Sequence, residues 1–312
     1  VSRRCRVRTH DTTHQRNAEQ HGEKIMKFET KCLHAGYTPK NGEPRVQPIV
    51  QSTTYTYDSA EEIGKLFDLQ AAGYFYTRLA NPTTNAAEEK ITALEGGVAT
   101  MCTASGQSAV FYAMLNILEA GDHFISSSYV YGGTYNLFAH TFKKMGIEVT
   151  FVDQDLPLEE LKKAIRPNTK AVFAETIANP ALRVLDIEKF AALAQAAEAP
   201  LLIDNTFATP YFCRPIEFGA NVVIHSTSKY LDGHAIALGG SITDGGNFNW
   251  NNGKYPQLST PDQTYHGLVY TETFGPAAYI VKARVQLMRD LGAPPCKKTV
   301  PTKAAIAALS LP

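Results

Sequence analysis

Lys229 closes the run Asn221-Val-Val-Ile-His-Ser-Thr-Ser-Lys229, in which an apolar strand pattern gives way to the small hydroxyls of Ser226 and Ser228. A second apolar run, Pro200-Leu-Leu-Ile-Asp204, ends in a carboxylate. A third strand pattern leads into Thr103-Ala-Ser-Gly-Gln107 and then into a helical pattern, so the backbone amides there can hold a phosphate. An amine able to form a Schiff base, donors for a phosphate and a carboxylate for a ring nitrogen are what pyridoxal phosphate requires of a protein. Singly, each feature has a bland explanation. A Ser-Gly turn before a helix is usually an N-cap, Asp204-Asn205 suits an Asx turn, and an isolated lysine is usually a solvated surface residue. Their joint placement at strand ends carries the reading.

The elements that must position these residues alternate along the chain. Strand-like runs occur at Val98–Cys102, His123–Ser126, Glu148–Val152, Ala171–Ala174, Leu201–Ile203 and Val222–Ile224. Helical patterns lie at Thr83–Leu94, Gly106–Leu118, Leu158–Ile165 and Asp186–Ala197. This alternation predicts an α/β fold, a mainly parallel sheet with helices on both faces. Ligands of such sheets gather beyond the carboxyl ends of the strands, where Asp204, Ser226 and Ser105-Gly106 fall.

Composition narrows the function classes. The 312 residues are 44% hydrophobic and 19% charged, with zero formal net charge, so neither a nucleic-acid-binding surface nor disorder is indicated. No apolar run approaches a membrane span. Five scattered cysteines without a Cys-x-x-Cys pair fit reduced thiols in the cytoplasm, and no metal site is expected. Residues 1–27 carry Arg3, Arg4, Arg6, Arg8 and Arg16 without the apolar core of a secretory signal. They read as a disordered leader, translated upstream of a start at Met26. Pro294, Pro295 and Pro301 break the helical pattern at the other end.

Six further stretches complete the pattern: Tyr76-Thr-Arg78-Leu-Ala-Asn-Pro-Thr-Thr84, Ala104-Ser-Gly-Gln107, Tyr131-Gly-Gly-Thr134, Glu175-Thr-Ile-Ala-Asn-Pro180, Ile203-Asp-Asn-Thr206 and His225-Ser-Thr-Ser-Lys-Tyr-Leu-Asp-Gly-His234. On these motifs and their order, residues 28–292 resemble the Cys/Met-metabolism family of pyridoxal-phosphate enzymes related to cystathionine γ-synthase. Gly239-Gly-Ser-Ile-Thr-Asp-Gly-Gly and Tyr265-His-Gly-Leu favour its O-acetylhomoserine sulfhydrylase branch. The resemblance implies the large domain of a type I aminotransferase-like fold over residues 81–280. An arm at 28–80 would contact a neighbouring subunit, a connecting helix would span 281–292, and 293–312 is a tail outside the pattern.

The resemblance also implies roles. Lys229 holds the cofactor covalently and then shuttles protons, helped by burial. Asp204 pairs with the pyridine nitrogen, Tyr131 stacks on the ring and assists proton transfer, and Thr206 supports the ring. Asn179 touches the ring oxygen or the substrate carboxylate. Ser105, Gly106, Gln107, Ser226 and Ser228 hold the phosphate. Tyr76 and Arg78 reach the phosphate of a neighbouring copy, which implies a homodimer or homotetramer with shared active sites and an inactive monomer.

The implied reaction is γ-replacement, in which O-acetylhomoserine and sulfide, or a small thiol, give homocysteine or a related product and acetate. Members of the family run on for about another hundred residues, a small domain with an arginine that clamps the substrate carboxylate. Here the pattern stops at Gly292, and Arg284 and Arg289 are poor substitutes for that clamp. The expectation is therefore a frameshifted or fragmentary chain that keeps the cofactor site and binds amino-acid substrate weakly. A γ- or β-lyase acting on methionine or cystathionine, or a non-catalytic cofactor-binding remnant, are the alternatives. The acyl group, acetyl or succinyl, is left open.

Overall fold

The computed structural model describes residues 26–296; the leader and tail expectations fall almost wholly outside them. Helices α1 (Phe28–His34), α2 (Ala60–Phe67) and α3 (Pro82–Glu95) precede the sheet. The strands are β1 (Ala99–Thr103), β2 (His123–Ser127), β3 (Glu148–Val152), β4 (Thr169–Glu175), β5 (Leu201–Asp204), β6 (Val222–His225) and β7 (Gly240–Asp244). Between them lie α4 (Gly106–Leu115), α5 (Gly132–Asn136) running into a π-helical turn at Leu137–Phe142, α6 (Leu158–Leu161) and α7 (Ile187–Ala196). Helix α8 (Ala278–Lys282) follows and continues to Leu291.

One seven-stranded sheet has the order β1-β7-β6-β5-β4-β2-β3. All neighbours from β6 to β3 are parallel, and only β7 runs antiparallel, against both β1 and β6. The parallel-sheet expectation holds, and β7 is the element it lacked. Gly240-Ser-Ile-Thr-Asp244 is buried along its whole length yet offers Ile242 as its one large apolar residue, so no hydrophobic run marks it. Its neighbours on both sides are strands, and backbone pairing rather than side-chain patterning holds it in place.

Side-chain alternation splits each strand between two cores. Phe124, Phe173, Leu202, Ile224 and Ile242 face α4 and α8, while Ile125, Val172, Leu201 and Ile203 face α7. The helix that the sequence reads as a connector is itself part of the first core. Tyr279 is fully buried, stacks on Trp250 at 5.0 Å and donates to the Ala113 carbonyl at 2.7 Å. Arg284 donates to Glu88 Oε2 at 2.7 Å and to the Leu79 carbonyl at 2.7 Å, fastening α3 to this helix. Arg289 lies 5.2 Å over the Tyr265 ring and binds Asp290. Both arginines are thus engaged within the domain.

His123 is fully buried on β2, with Nδ1 2.8 Å from Thr169 Oγ1 and Nε2 2.8 Å from Thr150 Oγ1. Burial, seconded by the Arg166 charge, pushes the imidazole down from 6.5 to about 4. The folded state thus resists a proton that the unfolded chain accepts. The resulting stability is fully present above 6.5 and is lost as pH falls toward 4. Urea unfolding across that window should show a decline of at most about 3 kcal/mol from this group, and His123→Gln should flatten it.

Candidate active site

Because β1, β2, β4, β5 and β6 all run in one direction, their carboxyl ends share a rim. A cavity of about 670 Å³ opens there, a size suited to a small organic cofactor. Ten of the twelve residues singled out in the sequence line it; Tyr76 and Arg78 do not.

At one end of the cavity, α4 begins. Ser105 is its N-cap, accepting the Ser108 N–H at 3.1 Å, while Ser108 Oγ accepts the Ser105 N–H at 3.1 Å. The Ser105 hydroxyl is therefore committed to the helix, and the first-turn amides of Gly106 and Gln107 are the donors this end offers an anion. A Cβ on Gly106 would lie 2.5 Å from Ser226 Cβ, so glycine alone lets the helix start touch the turn after β6. The Ser226 hydroxyl sits at that junction. Ser228 lines the same wall, but its Oγ donates to the Gly239 carbonyl at 3.1 Å and accepts the Gly239 N–H at 2.9 Å. It braces the loop rather than presenting a free donor.

Across the cavity, Asp204 ends β5. Thr206 donates to its Oδ1 twice, from Oγ1 at 2.5 Å and from the backbone N–H at 3.0 Å. Burial pushes this carboxyl up, and the two Thr206 donations and the nearby His225 pull it back. A cationic ring N–H at Asp204 Oδ2 would supply the missing stabilisation of the charge. The residues present fit pyridoxal phosphate on these observations: a buried acid short of a cation, an anion-ready helix start, and a primary amine between them.

Glu175 was missed in the sequence as a site residue, although it stands in a quoted motif. It is the register partner of Asp204 on β4, lines the cavity, and accepts the Tyr131 N–H at 2.7 Å. Burial, followed by the charge of Asp204, raises its carboxyl well above the usual range. The end of a buried parallel strand is the signal that could have found it. Glu175 holds the Tyr131 backbone, and so the ring, at the cavity mouth. Asn179, two residues past Ile177, completes this wall. Phe207 and Leu238, also unanticipated, add apolar surface.

Lys229 lies in the turn after β6 and lines the cavity, yet it is exposed, as is Tyr131 at 52%. Burial within the protomer therefore does not desolvate the amine, contrary to expectation. Arg78 lies 5.1 Å over the Tyr76 ring, on the segment that bridges to Thr54. The pair is not among the residues lining this protomer's cavity.

A lysine, a buried acid and a helix start with free first-turn amides on the rim of an α/β sheet are the groups that a pyridoxal-phosphate enzyme needs. The chain belongs to the Cys/Met metabolism PLP-dependent enzyme family, whose model matches residues 29–276. It is 48% identical over 276 residues to an O-acetyl-L-homoserine sulfhydrylase of Leptospira meyeri, covering 86% of this chain and 62% of the relative. It is 45% identical over 271 residues to a homocysteine/cysteine synthase of Saccharomyces cerevisiae, covering 85% and 61%. The chain thus spans about three-fifths of the length of these relatives. Among solved structures, a putative O-acetylhomoserine (thiol)-lyase from Campylobacter jejuni, which carries a pyridoxyl-lysine monophosphate, superposes with a TM-score of 0.87. Identity there is 35%, over 92% of this chain and 72% of that one. Cystathionine γ-lyase from Lactobacillus plantarum gives 0.74 at 30% identity, over 91% and 64%.

Two outcomes follow from this geometry. Gly106→Ala must separate α4 from Ser226, so it should cost about 1–3 kcal/mol in urea unfolding and weaken pyridoxal phosphate binding in a fluorescence titration. Glu175 holds its proton more tightly folded than unfolded. Its stabilising contribution is present below the ordinary 4.5 and is lost as pH rises through the raised value. Glu175→Gln keeps an acceptor for Tyr131 and removes the ionisation, so stability measured from pH 6 to 9 should fall less than in the wild type.

Proposed function

We propose that the chain carries the cofactor site of a γ-replacement enzyme converting O-acetylhomoserine and sulfide, or a small thiol, to homocysteine or its analogue and acetate. The observation that carries this reading is the convergence of Lys229, Asp204 and the Gly106–Ser226 junction on one cavity. The sulfhydrylase relatives support the choice of substrate.

When bound, pyridoxal phosphate supplies an aldehyde for the substrate amine and a ring that withdraws electrons from the α-carbon. The rest falls to the chain. The Gly106 and Gln107 amides and the Ser226 hydroxyl hold the phosphate, and the Asp204 carboxylate keeps the proton on the ring nitrogen. Tyr131 covers the ring, and its phenol passes protons to and from the incoming amine. Lys229 Nζ takes the α-proton and returns it after exchange at the γ-carbon. There the C–O bond to acetate breaks and a C–S bond forms, with the proton of hydrogen sulfide leaving as that of acetic acid.

Tyr76 and Arg78 serve a second copy, the guanidinium binding that copy's phosphate, which makes a homodimer or homotetramer the working form. Among the described residues no helix is long and apolar enough to cross a membrane. The scattered thiols, with no Cys-x-x-Cys pair, support a cytoplasmic setting for the reaction.

Borohydride reduction and peptide mapping should find a pyridoxyl group on Lys229, and Lys229→Ala should lose it while retaining phosphate-dependent binding. An unmodified Lys229 would refute the assignment. Incubation with O-acetylhomoserine and sulfide should yield homocysteine and acetate. Release of ammonia and a thiol from methionine would instead establish the lyase, which shares every cavity residue named here.

A further inference from the structure

Tyr131 stands at the start of α5 with its backbone held on both sides. Its N–H donates to Glu175 Oε1 at 2.7 Å, and its carbonyl accepts the Tyr135 N–H at 2.9 Å. The ring is held differently. Among the described residues its phenol makes no hydrogen bond and no other ring packs on it. What the ring rests on is Gly133. A Cβ at that residue would lie 2.6 Å from Tyr131 Cε1 and 3.2 Å from Cδ1, so one edge of the ring occupies the place of a side chain.

The two glycines that follow Tyr131 are not equivalent. Neither has a positive φ, so the backbone requires glycine at neither position, and each weakens α5 relative to alanine. A Cβ on Gly132 would meet nothing within 4 Å, and Gly132 does not line the cavity. Gly133 does line it, and its carbonyl accepts from Gln107 Nε2 at 3.3 Å. That bond ties the residue beneath the ring to the first turn of α4, where the amides that suit an anion lie. The atoms in the way of a methyl at residue 133 belong to the free edge of an exposed side chain. Alanine there would be accommodated by moving the ring, with the helix left in place.

We propose that Gly133 is a positioning residue whose bare Cα seats the Tyr131 ring over the cavity. The role rests on the pyridoxal phosphate reading, in which that ring covers the cofactor. In cofactor-free protein titrated with pyridoxal phosphate, Gly133→Ala should raise the dissociation constant about three- to tenfold, the worth of an aromatic stacking contact. The circular dichroism of the bound cofactor, which reports how its ring is held, should change as well. The urea midpoint should stay at or above that of the wild type, because alanine favours a helix over glycine. Gly132→Ala should gain the same helix stability with binding and dichroism unchanged. In a Tyr131→Ala background, Gly133→Ala should have no further effect on binding, since no ring is left to displace.

Binding and dichroism like the wild type in Gly133→Ala overturn the proposal. So does an equal loss in Gly132→Ala, which is what altered helicity of α5 would give. The same loss in the Tyr131→Ala background does so too, as it would assign the effect to the methyl intruding on the cavity. A Gly133→Ala chain that fails to fold also counts against it, because a ring free to move should absorb the change. A wild-type protein that takes up no pyridoxal phosphate would sink the cofactor reading itself, an outcome distinct from a binding wild type whose Gly133→Ala variant is unaffected.

Discussion

A single hydroxyl ties the two halves of the cavity together. Thr206 Oγ1 donates to Asp204 Oδ1 at 2.5 Å and accepts the Ser226 N–H at 2.8 Å. On the proposed reading, Asp204 would meet a ring nitrogen and Ser226 a phosphate. The hydroxyl spans the ends of β5 and β6 and so sets the distance between Asp204 and Ser226. A net contribution of about 1 kcal/mol is typical of such a bond, but its effect here is positional. Loosening it would leave both ends of the cofactor held by elements that move independently.

The phosphate end depends on close backbone approach, and β7 makes that possible. Running antiparallel between β1 and β6, it lets β1 point the same way as β6, so that the start of α4 arrives at the same rim as Lys229. The start of α4 is then confined on both sides. A Cβ on Gly240 would lie 2.2 Å from the Ser105 carbonyl oxygen, and one on Gly106 would strike Ser226. Two glycines thus permit a contact that neither strand could make with alanine. The capping box at Ser105 and Ser108 finishes the job by satisfying the helix locally, which leaves the first-turn amides for a ligand.

What was legible in the sequence follows from which forces leave a one-dimensional trace. The parallel strands are short apolar runs because both their faces are buried, and their ends carry the polar residues the cavity uses. Hence Lys229, Asp204, Ser226 and the Ser105-Gly106 turn could be placed from pattern alone. Strand β7 left no such trace, since Ser241, Thr243 and Asp244 are buried through backbone pairing between two strands. Glu175 was invisible as a site residue because its meaning comes from standing in register with Asp204, a relation across strands. The fates of the Ser105 and Ser228 hydroxyls, both engaged by the protein itself, likewise depend on geometry that residue type does not reveal. Exposure of Lys229 is of the same kind.

That exposure separates two tasks. The groups proposed to grip a cofactor, namely the amides at α4, Ser226, Asp204 and Thr206, come from elements packed into the two cores. The residues that would move protons, Lys229 and Tyr131, stand open to solvent at the cavity mouth. Closing a site over its reacting groups expels water and strengthens the electrostatic interactions inside it. Gripping and reacting therefore make different demands on the fold. On the proposed reading, the sheet rim would serve the first, and a further surface laid over Lys229 would serve the second. On that reading, the segment bearing Tyr76 and Arg78, outside its own cavity with the guanidinium stacked on the ring, would provide part of that surface to a second copy. Cofactor retention would then belong to the protomer and turnover to the assembly.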